Sequence, residues 1–466
     1  MTSRRGNRLP HRAFALSTAF SRVDVDEEDA TGEITSTSRG CRPHMSTADG
    51  RARVCRDGMT FGSMPFETET TDVRGVIASR ADAMVTVRGT CEEMCPARER
   101  EARAASGEVH ALERGDAMTS VVKRYRRTVR SGSDDAENVR TIGALERSVD
   151  RVLDAVARVA RGEESACAMS SSRAFADDRL RAVRQDLSVQ GIFAEDPDAC
   201  ARAGALLERM VAYAVVSERE RRSGLNGACD FGEARLRDEQ LGKTFGMLFS
   251  VFRELGADRV DPRRVGRAFS LFACSTARDA PVSSSASVSS SSELAGDLRR
   301  VGDEALSTSD ARFGLQCLHA LLEGNTQRVF KLVESAECSY ELACCLERHF
   351  PVLRVEALRA MNASMNATPM SLDELARVLR FDDARDAETY AKACGLSVDD
   401  ETRSVSFRTL PFTYPNLRHP DVAEKLRAPS SLVDAKRVPP TDEHPPRDIS
   451  IHLASLTVKT SETPTR

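Results

Sequence analysis

The sequence predicts a mainly α protein: an irregular array of helical repeats closed by a small helix–helix–hairpin unit, with disordered N- and C-terminal tails. Three observations carry this expectation. Apolar residues recur at helical spacing in segment after segment beyond residue 139. Aromatics are 5% of the chain and Trp is absent, so the core leans on Leu, Val, Ala and Phe, which suits packed helices better than strands. Near the end, two short helical patterns give way to two alternating runs around a polar turn.

Residues 1–85 show no sustained periodicity and read as a disordered basic and polar tail. The first 23 residues hold five arginines and no acid, a composition that transit peptides share with plain basic tails; the rest of the chain speaks against organelle import. Residues 86–130 form a lead-in segment. It opens on "GTCEEMCPARERE" (89–101), where Pro96 suits the first turn of a charged helix because its missing N–H costs nothing there. A polar linker, "SGSDDAEN" (131–138), precedes a helical body at 139–365.

In that body, "ALERSVDRVLDAVARVA" puts Leu145, Val149, Val152, Leu153 and Val156 on one face. "AGALLERMVAYAVVSE" does the same with Leu206, Leu207, Met210 and Val211, and "LGKTFGMLFSVFREL" with Leu241, Phe245, Leu248, Phe252 and Leu255. "VGRAFSLFA" and "FGLQCLHALLEG" follow the same rule. "PVSSSASVSSSSE" (281–293) reads as a disordered Ser-rich surface loop. At 366–410, "SLDELARVLRF" opens with Ser371 and has Glu374 three residues on, a capping-box start. "DARDAETYAKAC" stops at Gly395, and "LSVDDETRSVSF" makes a hairpin. Helix, helix and hairpin together predict a winged helix. Residues 411–466 are Pro-rich and polar, and are expected to be disordered.

Net charge is −4, from 67 basic and 71 acidic residues, so only a local patch could bind nucleic acid. Two such patches stand out. One is "VVKRYRRTVR" (121–130), with Lys123, Arg124, Arg126 and Arg127. The other is the set Arg377, Arg380, Arg385, Lys392, Arg403 and Arg408, where acids are interleaved and a plain solvated surface is an equal reading. No run approaches the ~20 apolar residues a membrane helix needs. Thirteen irregularly spaced cysteines read as mostly buried thiols in a reducing compartment.

Cys91 and Cys95 are spaced C-x3-C without a clean second pair, which argues against zinc, and the spacing is not the C-x-x-C of a redox dithiol. Cys91, Met94 and Cys95 are instead expected to plug a groove just before the charged helix. "FADDRLRAVRQDLSVQ" (175–190) places Arg179, Val183, Asp186, Leu187 and Gln190 near one helix face, and Arg181, Arg184 and Gln185 on another. Asp178 is within helical reach of Arg181, and Asp186 can pair across to another segment. A solvated helix and a buried polar network are the two readings, and the interleaved charges favour the network. An enzyme built on Asp178, Arg179 and Asp186 is the outlying alternative, with no His or nucleophile nearby. Phosphate-loop, dinucleotide, hydrolase-elbow and zinc-protease motifs are absent, so neither catalysis nor a cofactor or metal is expected.

These blocks resemble the Sac-three/GANP family. Gly89, Cys91, Met94, Cys95, Pro96 and Glu99 match its Gly-x-Cys-x-x-Met-Cys-Pro signature and the charged helix after it. "VVKRYRR" is similar to the next block, and Phe175, Asp178, Arg179, Arg181, Arg184, Gln185, Asp186 and Gln190 to the third. "LEGNTQRVFKL", with Gly324, Asn325 and Phe330, and "LRVEALRAMNAS", with Arg354 and Leu358, follow in family order. Departures are Asp177, Thr326 and Val329, where the family carries aromatics. The resemblance implies a PCI-like helical-repeat body capped by a winged helix. It also implies a non-catalytic scaffold of the second transcription-and-export complex, at nuclear pores. The implied partners are a PCI-domain protein, a small acidic proteasome-lid-like subunit, and RNA or DNA. The chain lacks visible Phe-Gly repeats and a long downstream helix, so it resembles the short branch, for which a centrosome or spindle scaffold is the alternative.

Overall fold

The computed structural model describes residues 87–437 apart from 115–117, 128–134, 165–166, 224–233, 278–301, 366–367, 409–410, 418–425 and 427–429. The expected N-terminal tail (1–85), the Ser-rich loop (281–293) and residues 438–466 of the expected C-terminal tail lie outside the described residues.

Helices dominate, as the periodicity requires. The lead-in carries α1 (Ala97–Ser106). The body follows with α2 (Ile142–Ala160), α3 (Met169–Val189), α4 (Pro197–Ser223), α5 (Ala234–Leu255) and α6 (Pro262–Thr276). It continues with α7 (Asp303–Leu306), α8 (Ser309–Leu322), α9 (Thr326–Glu334), α10 (Tyr340–Glu347) and α11 (Phe350–Ser364). Thr141 starts α2 by accepting the Ala144 N–H on its hydroxyl, and Leu145, Val149, Val152, Leu153 and Val156 are all fully buried below it. On α5 the expected face (Leu241, Phe245, Leu248, Phe252 and Leu255) is likewise inside. Each such side chain contributes about 1.5–3 kcal/mol by leaving water.

α2 lies on α3, α4 on α5, and α6 on α8. The last pair crosses closely because α8 carries Gly314: a Cβ there would stand 2.4 Å from the Ser270 Cβ and 2.8 Å from its Cα. α4 is the central helix. Its last two turns carry Glu218, Arg219, Glu220 and Arg221 into the interior, where each is paired.

A second apolar core belongs to the end of the chain. β1 (Met370–Ser371) leads into α12 (Leu372–Leu379) and α13 (Ala384–Ala393), followed by β2 (Ser397–Asp399) and β3 (Ser404–Ser406). The strands form an antiparallel sheet in the order β1-β3-β2, with Val405 opposite both Met370 and Val398. The hairpin matches the expectation. The third strand is only two residues long, too short for any alternation to reveal it. Ser371 caps α12 through the Glu374 N–H, whereas the Glu374 carboxylate turns to Arg377 instead of closing a capping box. Gly395 ends the second helical segment in the left-handed region, as expected.

The expectation of a disordered tail from residue 411 fails at 430–437. There α14 (Ser431–Asp434) docks on the body, with Val433 fully buried and Asp434 2.9 Å from Arg219. One helical turn has no readable period, and a single buried valine in a Pro-rich stretch gives no signal.

Candidate functional site

The motif residues converge on one place, where the lead-in lies across α2 and α3. The backbone of "GTCEEMCP" runs beside residues 136–141. Thr90 donates its N–H to Ala136 (2.8 Å), Cys91 donates to Val139 (3.0 Å), and Thr141 donates back to Cys91 (2.9 Å). Gly89 is required by this approach, since a Cβ would stand 2.4 Å from the Val139 carbonyl oxygen. The Gly89 N–H donates to Gln190 Oε1 at 3.0 Å, and Gln190 Nε2 donates to the Arg140 and Asp186 carbonyls.

The two cysteines differ. Cys95 is buried, and burial pushes its thiol up to about 12. Cys91 is half-buried, and its thiol is raised by desolvation against the opposing charges of Arg140 and Lys123. Met94 packs against the main core through its side chain, and its carbonyl accepts the Lys123 N–H. Pro96 sits one position earlier than expected, as the N-cap, and its carbonyl accepts the first helical bond from Arg100.

Beneath the lead-in is a seam of buried charge. Asp186 accepts from Arg140 Nε and from Lys123 Nζ, both at 2.7 Å. Arg140 is completely buried and also donates to Ser148. Arg179 makes a two-pronged bond to Glu113, at 3.0 Å on each oxygen, and lies 4.8 Å over the Phe175 ring. Arg103 from α1 reaches the same carboxylate. Burial pushes Glu113 up, but the bonds and charges of Arg179, the Val122 N–H and Arg103 outweigh it and hold the carboxyl below its usual range. Glu99, also buried, accepts the Arg124 N–H at 2.8 Å.

The seam therefore joins Glu99 of the signature stretch with Phe175, Arg179, Asp186 and Gln190, while Asp178, Arg181, Arg184 and Gln185 of the expected network make other contacts. Arg103, Glu113 and Arg140 are members that sequence reasoning missed. Arg103 carried one signal, its spacing of four from Glu99 on α1; Arg140 and Glu113 lie outside any periodic segment and carried none. One expected pairing is corrected: Asp178 turns to Arg179 and to the Tyr125 N–H, not to Arg181. Arg181 instead lies 3.7 Å over the Tyr125 ring and donates to its hydroxyl. Arg184 donates to Gln240 and Thr244, and Gln185 to the Arg126 carbonyl.

The later blocks are structural at the other end of the body. Gly324 takes a positive φ at the end of α8, and Asn325 caps α9 through the Arg328 N–H. Phe330 packs edge-on against Phe350, and Leu358 is fully buried. Arg354 is buried among the rings of Phe330, Phe350, Phe381 and Tyr390, and donates to the Leu379 and Arg380 carbonyls. It thereby ties α11 to the C-terminal unit. Where aromatics were expected, Thr326 donates its hydroxyl to Leu353, Val329 is fully buried, and Asp177 pairs with Arg221.

The candidate nucleic-acid residues divide. Lys123 is removed from the set by its interior pair with Asp186. Arg124 and Arg126 face outward but lean on Glu108 and Glu99. Arg377 pairs with Glu374, Arg380 with Glu334, Lys392 with Glu388 and Asp400, and Arg403 with Asp373. Arg408 reaches the Ala363 carbonyl. Arg127 and Arg385 are exposed and make no ion pair among the described residues. Residues 370–408 hold six basic side chains against nine acidic ones, a net of −3.

The fold and this seam define a helical protein whose motif residues brace its own framework. A family model described as the SAC3/GANP family matches residues 94–400, and the chain belongs to that family. It is 24% identical over 388 residues to SAC3 family protein 1 of Schizosaccharomyces pombe, covering 76% of this chain and 34% of that protein. It is 27% identical over 288 residues to SAC3 family protein B of Arabidopsis thaliana, covering 59% of this chain and 16% of that protein. The matched segments thus span about a third and a sixth of those relatives.

Proposed function

We propose that this chain is a non-catalytic scaffold subunit of a nuclear, transcription-coupled mRNA export complex of the second transcription-and-export type. In this reading residues 86–130 are a fastened lead-in, 139–365 a PCI-like body and 366–410 a winged helix. The body pairs with a second PCI-domain protein and a small acidic proteasome-lid-like subunit, and the paired winged helices meet RNA.

One observation carries the scaffold reading. The ionisable groups of the motif blocks are spent in the interior: Arg179 on Glu113, Asp186 on Arg140, and Glu99 on Arg103 and the Arg124 N–H. Groups locked in that way set the geometry of the framework, and function falls to the surface. The net charge of −3 over 370–408 adds a condition: the positive field of an RNA platform comes chiefly from the partner.

The test is co-expression with a PCI-domain partner and the small acidic subunit, followed by size-exclusion chromatography and RNA binding. A stable ternary complex that binds RNA supports the reading; failure to assemble with either protein overturns it. Charge reversal at Arg127, Arg385 and Arg403 lowers the RNA affinity and its salt slope if this chain shares the contact. Tagged protein gathers in the nucleus or at its rim, and a spindle-pole signal would favour the centrosomal alternative instead.

A further inference from the structure

A cleft of about 240 Å3 opens between α3, α4 and α5, with Tyr125 of the lead-in on its wall. Leu180, Met210, Ala214 and Leu241 give it an apolar lining. Leu236, a large apolar side chain left 43% exposed, also lines it. Apolar walls with a few converging polar groups are the ordinary make-up of a ligand site.

The charges of the cleft do not balance locally. Its carboxylates are all answered: Asp177 by Arg221 (2.7 Å), Glu218 by Arg222 and Arg237 (both 2.6 Å), Asp238 by Arg348 (3.1 Å), and Asp178 by Arg179. Arg181 and Arg184 are not, for neither makes an ion pair among the described residues. Arg181 rests on Tyr125, and Arg184 donates only to neutral acceptors, two on Gln240 and one on Thr244. A guanidinium has five N–H donors, so Arg184 keeps donors in reserve. Burial and then the neighbouring Arg181 charge push Arg184 down to about 10, as expected for a cation with no ion pair among the described residues.

We propose that this cleft binds an acidic peptide segment, with one carboxylate held by Arg181 and Arg184 and an adjacent bulky apolar side chain seated over Leu180, Met210 and Leu236. Two guanidinium groups that make no ion pair among the described residues suit a carboxylate, and Arg is the side chain shaped to hold one. Nucleic acid fits less well. Its backbone carries a charge at every nucleotide and would have to pass Asp177, Asp178 and Asp238. Peptide binding is read on the chain alone, without the PCI-domain partner or the small acidic subunit, so its failure is distinguishable from failure of the export reading.

The test selects a phage-displayed library of random dodecapeptides on the full-length chain, then measures binding of an enriched, fluorescein-labelled peptide by anisotropy. The expected winners carry Asp or Glu beside Leu, Ile, Met or Phe. Arg181→Gln and Arg184→Gln each weaken the peptide by about tenfold, as does amidation of its acid. Arg184 also braces α5, so Leu236→Asp supplies a variant at an exposed position that puts a like charge at the cleft without disturbing the core. Circular dichroism confirms that each variant is folded. Selection of no such motif, or equal binding by folded Arg181→Gln and Leu236→Asp proteins, overturns the proposal. Full competition by an oligouridine would overturn it in favour of a nucleic-acid site.

Discussion

The seam under the lead-in and the C-terminal unit at 370–408 are both rich in charge, and they use it in opposite ways. In the seam Arg140, Arg179, Glu113 and Asp186 are almost wholly withdrawn from water and paired, Arg140 with Asp186 and Arg179 with Glu113. In the C-terminal unit the core is apolar, and pairs such as Arg377–Glu374 and Lys392–Glu388 stand in solvent one helical turn apart. A buried pair costs desolvation to make and is expensive to break singly, whereas an exposed pair is worth little either way. Charge count alone therefore says nothing about what holds a region together; location decides.

The largest expected effect breaks the seam. Asp186→Ala strands the buried Arg140 guanidinium and the Lys123 ammonium without a counter-ion. The expected loss is about 3–5 kcal/mol in urea unfolding. The lead-in should detach first, so limited trypsin digestion within 97–127 precedes cleavage of the body. A loss below about 1 kcal/mol would place the seam in the same class as surface pairs.

Next comes the link between the regions. Arg354→Met keeps bulk among the four rings but leaves the Leu379 and Arg380 carbonyls without their donor. The expected cost is about 2–4 kcal/mol. Hydrogen exchange should rise in α12, α13 and the sheet while α2–α5 keep their protection. Uniform protection would mean that the apolar core alone holds the C-terminal unit in place.

How much of this was legible follows from the same contrast. Periodicity exposes an apolar face, so α2, α4 and α5 could be read directly, and Ser371 and Gly395 marked the ends of the C-terminal helices. The seam was half visible, because Arg179 and Asp186 share one face of α3 and Gln190, its C-cap, continues that face. Their partners Glu113 and Arg140 come from irregular backbone, where burial leaves no pattern. β1 and α14 were missed for a related reason: two and four residues are too few to carry a period.

The pH response sharpens the comparison at intermediate size. Glu113 has its carboxyl held below the usual range in the folded chain, the net result of burial and its arginine partners. A depressed folded value gives stability that is present above the unfolded glutamate pKa, about 4.3, and lost as pH falls through the folded value. The unfolding free energy should therefore decline below that pH. Glu113→Gln should flatten the decline and cost about 1–3 kcal/mol at neutral pH. Parallel profiles for the two proteins would remove Glu113 from the seam's energetics.

The smallest effect is also the most discriminating. Glu374→Ala removes the partner of Arg377, a residue that is 68% exposed in its side chain, and leaves the Ser371 cap in place because that bond uses the Glu374 backbone N–H. The unpaired guanidinium keeps its hydration, so nothing buried is left unsatisfied. Stability should change by less than about 0.5 kcal/mol, and 1 M salt, which screens surface pairs, should erase whatever difference remains. The same salt should leave the Asp186→Ala deficit almost untouched, since that pair is shielded from ions. If the Glu374→Ala loss instead approached that of Asp186→Ala and survived salt, the C-terminal unit would depend on its surface charges, and the contrast between the regions would collapse.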